Sequence, residues 1–283
     1  MSGSMTAALM KVNFSSNMAE ILVILDFDKT IIDVDSDYWV VEEFGLIDLF
    51  NQLLPTMPLN SVMTRITKEL HSRGITIHQI VEVLNRIPIH PCIVHALKSA
   101  HASGCELRII SNSNTFFIDT ILKHVGLRDC FYAINTNPGF VDEQGRLNIL
   151  PFHDHGCCAL CPANMCKGRI VERIQASEDN NKKRIVYLGD GDGDYCPSLK
   201  LTRDDFLMPR KKFPVWELIC RNSVKINAEI HEWIDGEEFE RVLLEIIGAV
   251  SVQGSQFLSS DDCRLLTSTV AAHEPLPNSL SVT

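Results

Sequence analysis

Two aspartates, Asp26 and Asp28, stand directly after the uninterrupted apolar run Ile21-Leu22-Val23-Ile24-Leu25. A short, wholly apolar run predicts a buried central strand. Open α/β sheets bind their ligands at the carboxyl ends of such strands. On an extended chain, residues two apart share a face, so the pair suits a metal ion or a nucleophile working beside an acid. Two further expected strands, 105–110 and 184–188, also end in polar clusters. The first runs into Ser111-Asn112-Ser113-Asn114 and the second into Gly189-Asp190-Gly191-Asp192-Gly193-Asp194. In a parallel sheet these ends converge on one rim. Carboxylates gathered there repel one another and carry a desolvation cost that a divalent cation relieves. Oxygen ligands with room for water and phosphate favour Mg2+ over zinc. Lys167, opening a helix before the third strand, supplies a matching positive charge.

The elements that must hold these residues follow from apolar spacing. Helices are expected over 37–54, 59–72 and 76–87, the last beginning with a capping box at Thr76-Ile77-His78-Gln79. Lying between the first two strands, they form a helical cap at about 37–90, and Pro88 and Pro91 mark the return to the core. A helix over 91–103 closed by Gly104, the strand 105–110 and a helix over 115–125 closed by Gly126 come next. A strand over 131–135, a hairpin across 140–149, a helix over 165–176 and the strand 184–188 complete the pattern. This alternation predicts an α/β fold: a doubly wound parallel sheet, helices on both faces, and the cap inserted after the first strand. Residues 1–19 are Ser-rich with Lys11 their only charge, and 251–283 lose the apolar period, so both ends are expected to be disordered around a unit spanning 20–250.

Bulk composition narrows the function classes. With 283 residues, 45% of them apolar, the chain can bury a sizeable core. A net charge of −10 argues against nucleic acid, which demands a basic surface. No window approaches the roughly 18 apolar residues of a membrane span. Ten cysteines with no secretory signal imply reduced thiols in a cytoplasmic setting. Nothing in the pattern encodes an oligomeric state.

Taken in order, Asp26-Phe27-Asp28-Lys29-Thr30, Ser111, Lys167 and Gly189-Asp190 followed by Asp194 resemble the four motifs of the haloacid dehalogenase-like (HAD) phosphatase superfamily. The segments Thr30–Asp37, Cys161-Pro-Ala-Asn-Met-Cys-Lys167 and Gly189–Pro197 are similar to the phosphoethanolamine/phosphocholine phosphatase family and its plant relatives. The likeness extends over about 21–247 and implies a two-step mechanism. In it Asp26 is the nucleophile and forms an aspartyl-phosphate. Asp28 protonates the leaving group and later activates water. Thr30, Ser111 and Lys167 hold the phosphoryl oxygens. Mg2+ is held by Asp26, Asp190 and the backbone carbonyl of Asp28, with Asp194 supporting it directly or through water. The Asp28 acid distinguishes a phosphatase from a dehalogenase, which has no alkoxide to protonate.

The substrate implied is a small phosphorylated metabolite: phosphocholine or phosphoethanolamine, with thiamine monophosphate and inorganic pyrophosphate as alternatives. The acidic run Asp33, Asp35 and Asp37 beside Tyr38 and Trp39 suits a cationic head group. In the resembled animal enzymes the residue matching Asp37 contacts substrate. Asn112 stands where those relatives carry a substrate-contacting aspartate, a change that removes one negative charge. His153, His155, Cys158, Cys161 and Cys166 have spacings a zinc ion could use. A non-enzymatic rival, a phospholigand-binding protein, would have lost one of Asp26, Asp28, Lys167 or Asp190; all four are present.

Overall fold

The computed structural model describes residues 21–265 except 154–155, 157, 178–182 and 223–224, and for 253–265 the backbone alone. Strand β1 (Ile21–Leu25) leads into four helices, α1 (Ser36–Glu43), α2 (Ile47–Leu53), α3 (Leu59–Ser72) and α4 (Ile77–Leu84). The chain continues through α5 (Pro91–Ala102), β2 (Glu106–Asn114), α6 (Thr115–His124), β3 (Phe131–Asn137), β4 (Gly139–Val141) and β5 (Leu147–Ile149). Next come α7 (Lys167–Gln175), β6 (Arg184–Gly189), α8 (Tyr195–Ser198) and β7 (Phe206–Pro209). Helix α9 (Pro214–Arg221), β8 (Glu229–Ile230) and the long α10 (Gly236–Leu265) follow.

Six strands form one sheet in the order β3-β2-β1-β6-β7-β8, every neighbouring pair parallel. The expected α/β architecture is the one found. Strand β1 is central and wholly buried. Its alternate residues feed opposite layers, as the two-residue strand period requires. Ile21, Val23 and Leu25 join the larger apolar cluster, shared with the cap, while Leu22 and Ile24 join the smaller one under α7 and α9. The chain leaves β1 toward β2 on one side and β6 lies on the other, so a crevice opens at the carboxyl end of β1.

The cap contains four helices rather than three. Apolar residues at Val40, Phe44, Ile47 and Phe50 suggest one continuous helix, but Gly45 takes the left-handed conformation at φ +65°. Its N–H donates to the carbonyl of Glu42 (3.0 Å) and that of Leu46 to Val41 (2.9 Å), a capping pattern that closes α1. The expected hairpin is formed by β4 and β5, and it is fastened to the cap. Thr64 and Thr67 of α3 donate their hydroxyls to the carbonyls of Ile149 (2.9 Å) and Leu147 (2.6 Å).

Two further elements outrun their expected limits. Strand β2 stays extended through Ser111–Asn114 because Asn137 Nδ2 donates to the carbonyls of Asn112 (2.6 Å) and Ser113 (2.9 Å). Asn114 then caps α6 by accepting from the Phe117 N–H. Helix α10 passes Ser251 and continues to Leu265, where a disordered tail was expected to have begun. Phe239, Val242, Leu243, Ile246 and Ile247 bury one face of α10, and the helix packs on α5. Once that face is anchored, each added residue brings its own backbone hydrogen bond, which helix propagation requires. Residues 1–19 and 266–283 lie outside the described residues. No described helix is long and apolar enough to cross a membrane.

Phe239 also meets Trp233 edge to face, with ring centroids 5.2 Å apart. Phe239→Ala is expected to lower the unfolding free energy by about 3–5 kcal/mol. Equilibrium denaturation in urea, monitored by circular dichroism, checks this.

Candidate active site

The Asp26 N–H donates to the carbonyl of Leu188 (2.9 Å), placing the residue level with the end of β6. The chain then turns. The Phe27 carbonyl accepts from Thr30, Ile31 and Ile32, while Phe27, Ile31 and Ile32 are fully buried. Asp28 therefore reaches the cavity from a turn, not from the strand face that an extended chain would give it. Lys29 occupies the left-handed region at φ +53°, sparsely populated by non-glycine residues. Arg210 supports this turn, donating to the Lys29 carbonyl and to Asp33 Oδ1 (2.8 Å). Its guanidinium lies 4.4 Å from the Phe213 ring centroid and 4.9 Å from that of Trp233. Asp33 is thus tied into the scaffold.

Lys167 is the hub of the site. Its ammonium lies 2.7 Å from Asp26 Oδ2 and 2.8 Å from Asp194 Oδ1. Burial works against its charge, but Asp194 and then Asp26 hold it above the ordinary lysine range. Asp194 is fully enclosed. Its Oδ1 also accepts from the Tyr187 hydroxyl (2.7 Å), and its Oδ2 accepts from the N–H groups of Asp190 (3.1 Å) and Gly191 (3.0 Å). Gly189 makes that fit possible, since a Cβ there would come within 2.4 Å of Asp194 Cγ. Asp26, Asp190 and Asp194 bring carboxylate oxygens within 4.8 Å of one another.

These residues line a cavity of about 610 Å3, within the range of small-molecule sites. Asp28, Lys29, Ser111 and Asn112 line it from the core. Asp35, Asp37 and Leu59 contribute from the cap side, and Phe213 from the start of α9. The Asp37 carboxyl is buried with Oδ1 unpartnered, and Asn112 Oδ1 is likewise buried without a partner. Asp35 caps α1, accepting from the Tyr38 N–H. Thr30 does not line the cavity, nor do Asp33, Tyr38 and Trp39. The Thr30 hydroxyl donates to Asp190 Oδ1 (3.3 Å), behind the site. Tyr187 and Arg210 were missed because one resembles a core aromatic within an apolar strand and the other a surface cation in Arg210-Lys211-Lys212.

The His/Cys cluster closes differently from its sequence pattern. Cys158, Cys161 and Cys166 join Cys196 of α8, with sulfurs within 4.8 Å of one another. His153 lies behind them, its Nε2 accepting from the Cys166 N–H (3.2 Å). His155 lies outside the described residues. Cys196 stands two residues after Asp194, so the segment Gly189–Pro197 itself contained the missing partner.

Crowding perturbs the carboxyls. Burial, then the charge of Asp194, raises Asp26 well above the carboxylate range, while Lys167 opposes. Burial, then Asp35, raises Asp28 from 3.8 to about 7 against the hydrogen bond from Ser36. Burial and Asp194 raise Asp190 to about 7. Burial, with Asp35 and Asp28 adding to it, raises Asp37.

A family model described as "Putative Phosphatase" matches residues 21–247. The chain is 56% identical to "Inorganic pyrophosphatase 2" of Arabidopsis thaliana, over 90% of this chain and 95% of that one. It is 46% identical to "Thiamine phosphate phosphatase-like protein" of the same plant, over 83% and 98%. A phosphoserine phosphatase solved as a phospho-aspartyl intermediate analogue shares the fold, with a TM-score of 0.54 at 15% identity, over 80% of this chain and 99% of that one. The chain belongs to this phosphatase family. By class it is a phosphoric monoester hydrolase.

In the metal-free protein Asp28 and Asp190 ionise near 7, against 3.8 for an ordinary aspartate. The folded chain thus holds protons that the unfolded chain releases, and the stability they confer is complete below 3.8 and lost as the pH rises through 7. The melting temperature of the metal-free protein is expected to fall between about pH 5 and about pH 8. Asp190→Asn should flatten this fall. Differential scanning fluorimetry across that range is the measurement.

Proposed function

We propose that the chain is a Mg2+-dependent phosphatase acting on small phosphorylated metabolites through an aspartyl-phosphate on Asp26. The observation that carries this reading is the convergence of Asp26, Asp28, Lys167 and Asp190 on one cavity. The all-oxygen, hard donor set of Asp26 and Asp190, crowded with Asp194 around one ammonium, fits Mg2+. Asp26, Asp190 and the Asp28 carbonyl would hold it. When bound, the ion supplies positive charge that offsets the phosphate and lets an anionic nucleophile approach.

Asp26 attacks phosphorus, forming an acyl-phosphate bond as the bond to the leaving oxygen breaks. Asp28, with its pKa near 7, donates the proton that the leaving oxygen takes up. As a carboxylate it then removes a proton from the water that attacks the phosphoaspartate, releasing phosphate and restoring Asp26. Lys167 stabilises the nucleophile and the phosphoryl oxygens, with Ser111 beside it. Thr30 and Asp194 act as positioning residues: Thr30 orients Asp190, and Asp194 secures Lys167 and the loop after β6. The four contacts on Asp194 support this role over direct metal ligation.

For the leaving group, the acidic cap wall of Asp35 and Asp37 favours a cationic head group such as choline or ethanolamine. The 56% identity to a plant inorganic pyrophosphatase favours pyrophosphate as a second reading. That substrate would bring a second anion toward Asp37 and need its own countercharge.

Phosphate release from a panel containing phosphocholine, phosphoethanolamine, thiamine monophosphate and pyrophosphate tests both. Asp26→Asn should reduce turnover by about three orders of magnitude or more. Retention of turnover by that variant, or Mg2+-independent turnover by the wild type, overturns the mechanism. Asp37→Asn separates the two substrate readings. It should raise KM about tenfold for a cationic ester and lower or preserve it for pyrophosphate.

A further inference from the structure

We propose that Cys158, Cys161, Cys166 and Cys196 hold a structural zinc ion as a tetrathiolate. All four sulfurs lie within 4.8 Å of one another. Cys196 Sγ lies 3.6 Å from Cys158 Sγ and 4.0 Å from Cys166 Sγ. A zinc–sulfur bond of about 2.3 Å in a tetrahedron sets a sulfur–sulfur edge of about 3.8 Å. A disulfide would require about 2.05 Å, and all four are free thiols. A binuclear iron–sulfur cluster distributes its thiolates over two irons and needs a wider cage. The observed set therefore matches one four-coordinate ion with no open position, the form of a structural site.

The surroundings are shaped for sulfur. Gly168 permits the contact, since a Cβ there would stand 2.6 Å from Cys196 Sγ. The first turn of α7 donates backbone hydrogen bonds to two of the sulfurs, from Gly168 to Cys196 and from Arg169 to Cys166. Such outer contacts orient metal-bound thiolates and spread their charge. Three ligands come from the loop preceding α7, and the fourth comes from α8, which follows β6 in the chain and packs on α7. Binding involves no redox change. Four S–H bonds break, four zinc–sulfur bonds form, and four protons pass to solvent.

The location gives the ion a consequence. Cys166 immediately precedes Lys167, and Cys196 follows Asp194 by two residues. Zinc at this point pins both ends of the Lys167–Asp194 bridge without touching the substrate. Its loss should lower kcat more than it changes KM.

The test begins with metal content, which does not depend on the proposed substrate or mechanism. Protein purified without chelator or polyhistidine tag should carry about one zinc ion per chain by mass spectrometry. Asp190→Asn, which disarms the carboxylate cluster, should keep that zinc, and Cys196→Ser should lose it. Should Cys196→Ser fail to fold, cobalt exchanged into the wild-type chain provides a second readout. It should show the intense sulfur-to-metal charge-transfer absorption of a tetrahedral thiolate site. Titration with an organomercurial should release zinc as these thiols are consumed. Folded wild-type protein that holds no zinc and takes up neither zinc nor cobalt overturns the proposal. So does zinc that leaves with Asp190→Asn, or a disulfide within the set.

Discussion

One buried ammonium governs this molecule. Lys167 sits between Asp26 and Asp194, all three withdrawn from water, with Asp190 close by. Removing one partner from such a group leaves an uncompensated buried charge, which is more costly than never having assembled it. The architecture can be understood as what keeps this balance in place. The parallel order β2-β1-β6 delivers three strand ends to one crevice. Gly189 leaves room for the Asp194 carboxylate beneath the backbone, and Tyr187 adds a donor from within β6. The excess of negative charge that remains is one that a bound cation would offset.

Around that centre, support arrives from distant parts of the chain. Trp233 and Phe213 flank the Arg210 guanidinium, and Arg210 holds the turn that presents Asp28 and Lys29. Phe239 at the start of α10 packs against Trp233. Helix α10 therefore buttresses the turn after β1 through the Phe239–Trp233 pair and the Arg210 cation. On the opposite side, Ser36 of α1 shares a hydrogen bond with Ser113 of β2 (2.9 Å), joining cap to core beside the cavity.

The parts of the site legible in the sequence were those in which a local pattern dictates a position. An apolar run ending in carboxylates marks a buried strand and its exit, and it located Asp26, Asp28 and Asp190. Order along the chain picked out Ser111 and Lys167. The fold class followed from the same alternation. What stayed hidden depends on contacts across long sequence separations. The split of the first cap helix rests on the conformation of Gly45, which apolar spacing alone does not reveal. The contact of the Thr30 hydroxyl with Asp190 joins residues 160 positions apart, beyond the reach of any local pattern. Cys196 was visible within its motif, but only the packing of α8 on α7 brings it to the other three cysteines. Arg210 had no local signal, because its partners Asp33 and Trp233 lie far from it in sequence.

The hydrogen bonds from Thr64 and Thr67 to the β5 strand bear on how such enzymes diversify. The helices inserted after β1 and the hairpin inserted after β3 are separate in sequence but joined in space. Neither is a freely exchangeable module. Recombination that imported a foreign helical insert alone would arrive with its docking hydroxyls facing an unmatched strand. New substrate preferences on this scaffold are therefore expected to arise by co-substitution of the two segments, or by point changes along the cavity wall, and not by shuffling the cap as a single cassette.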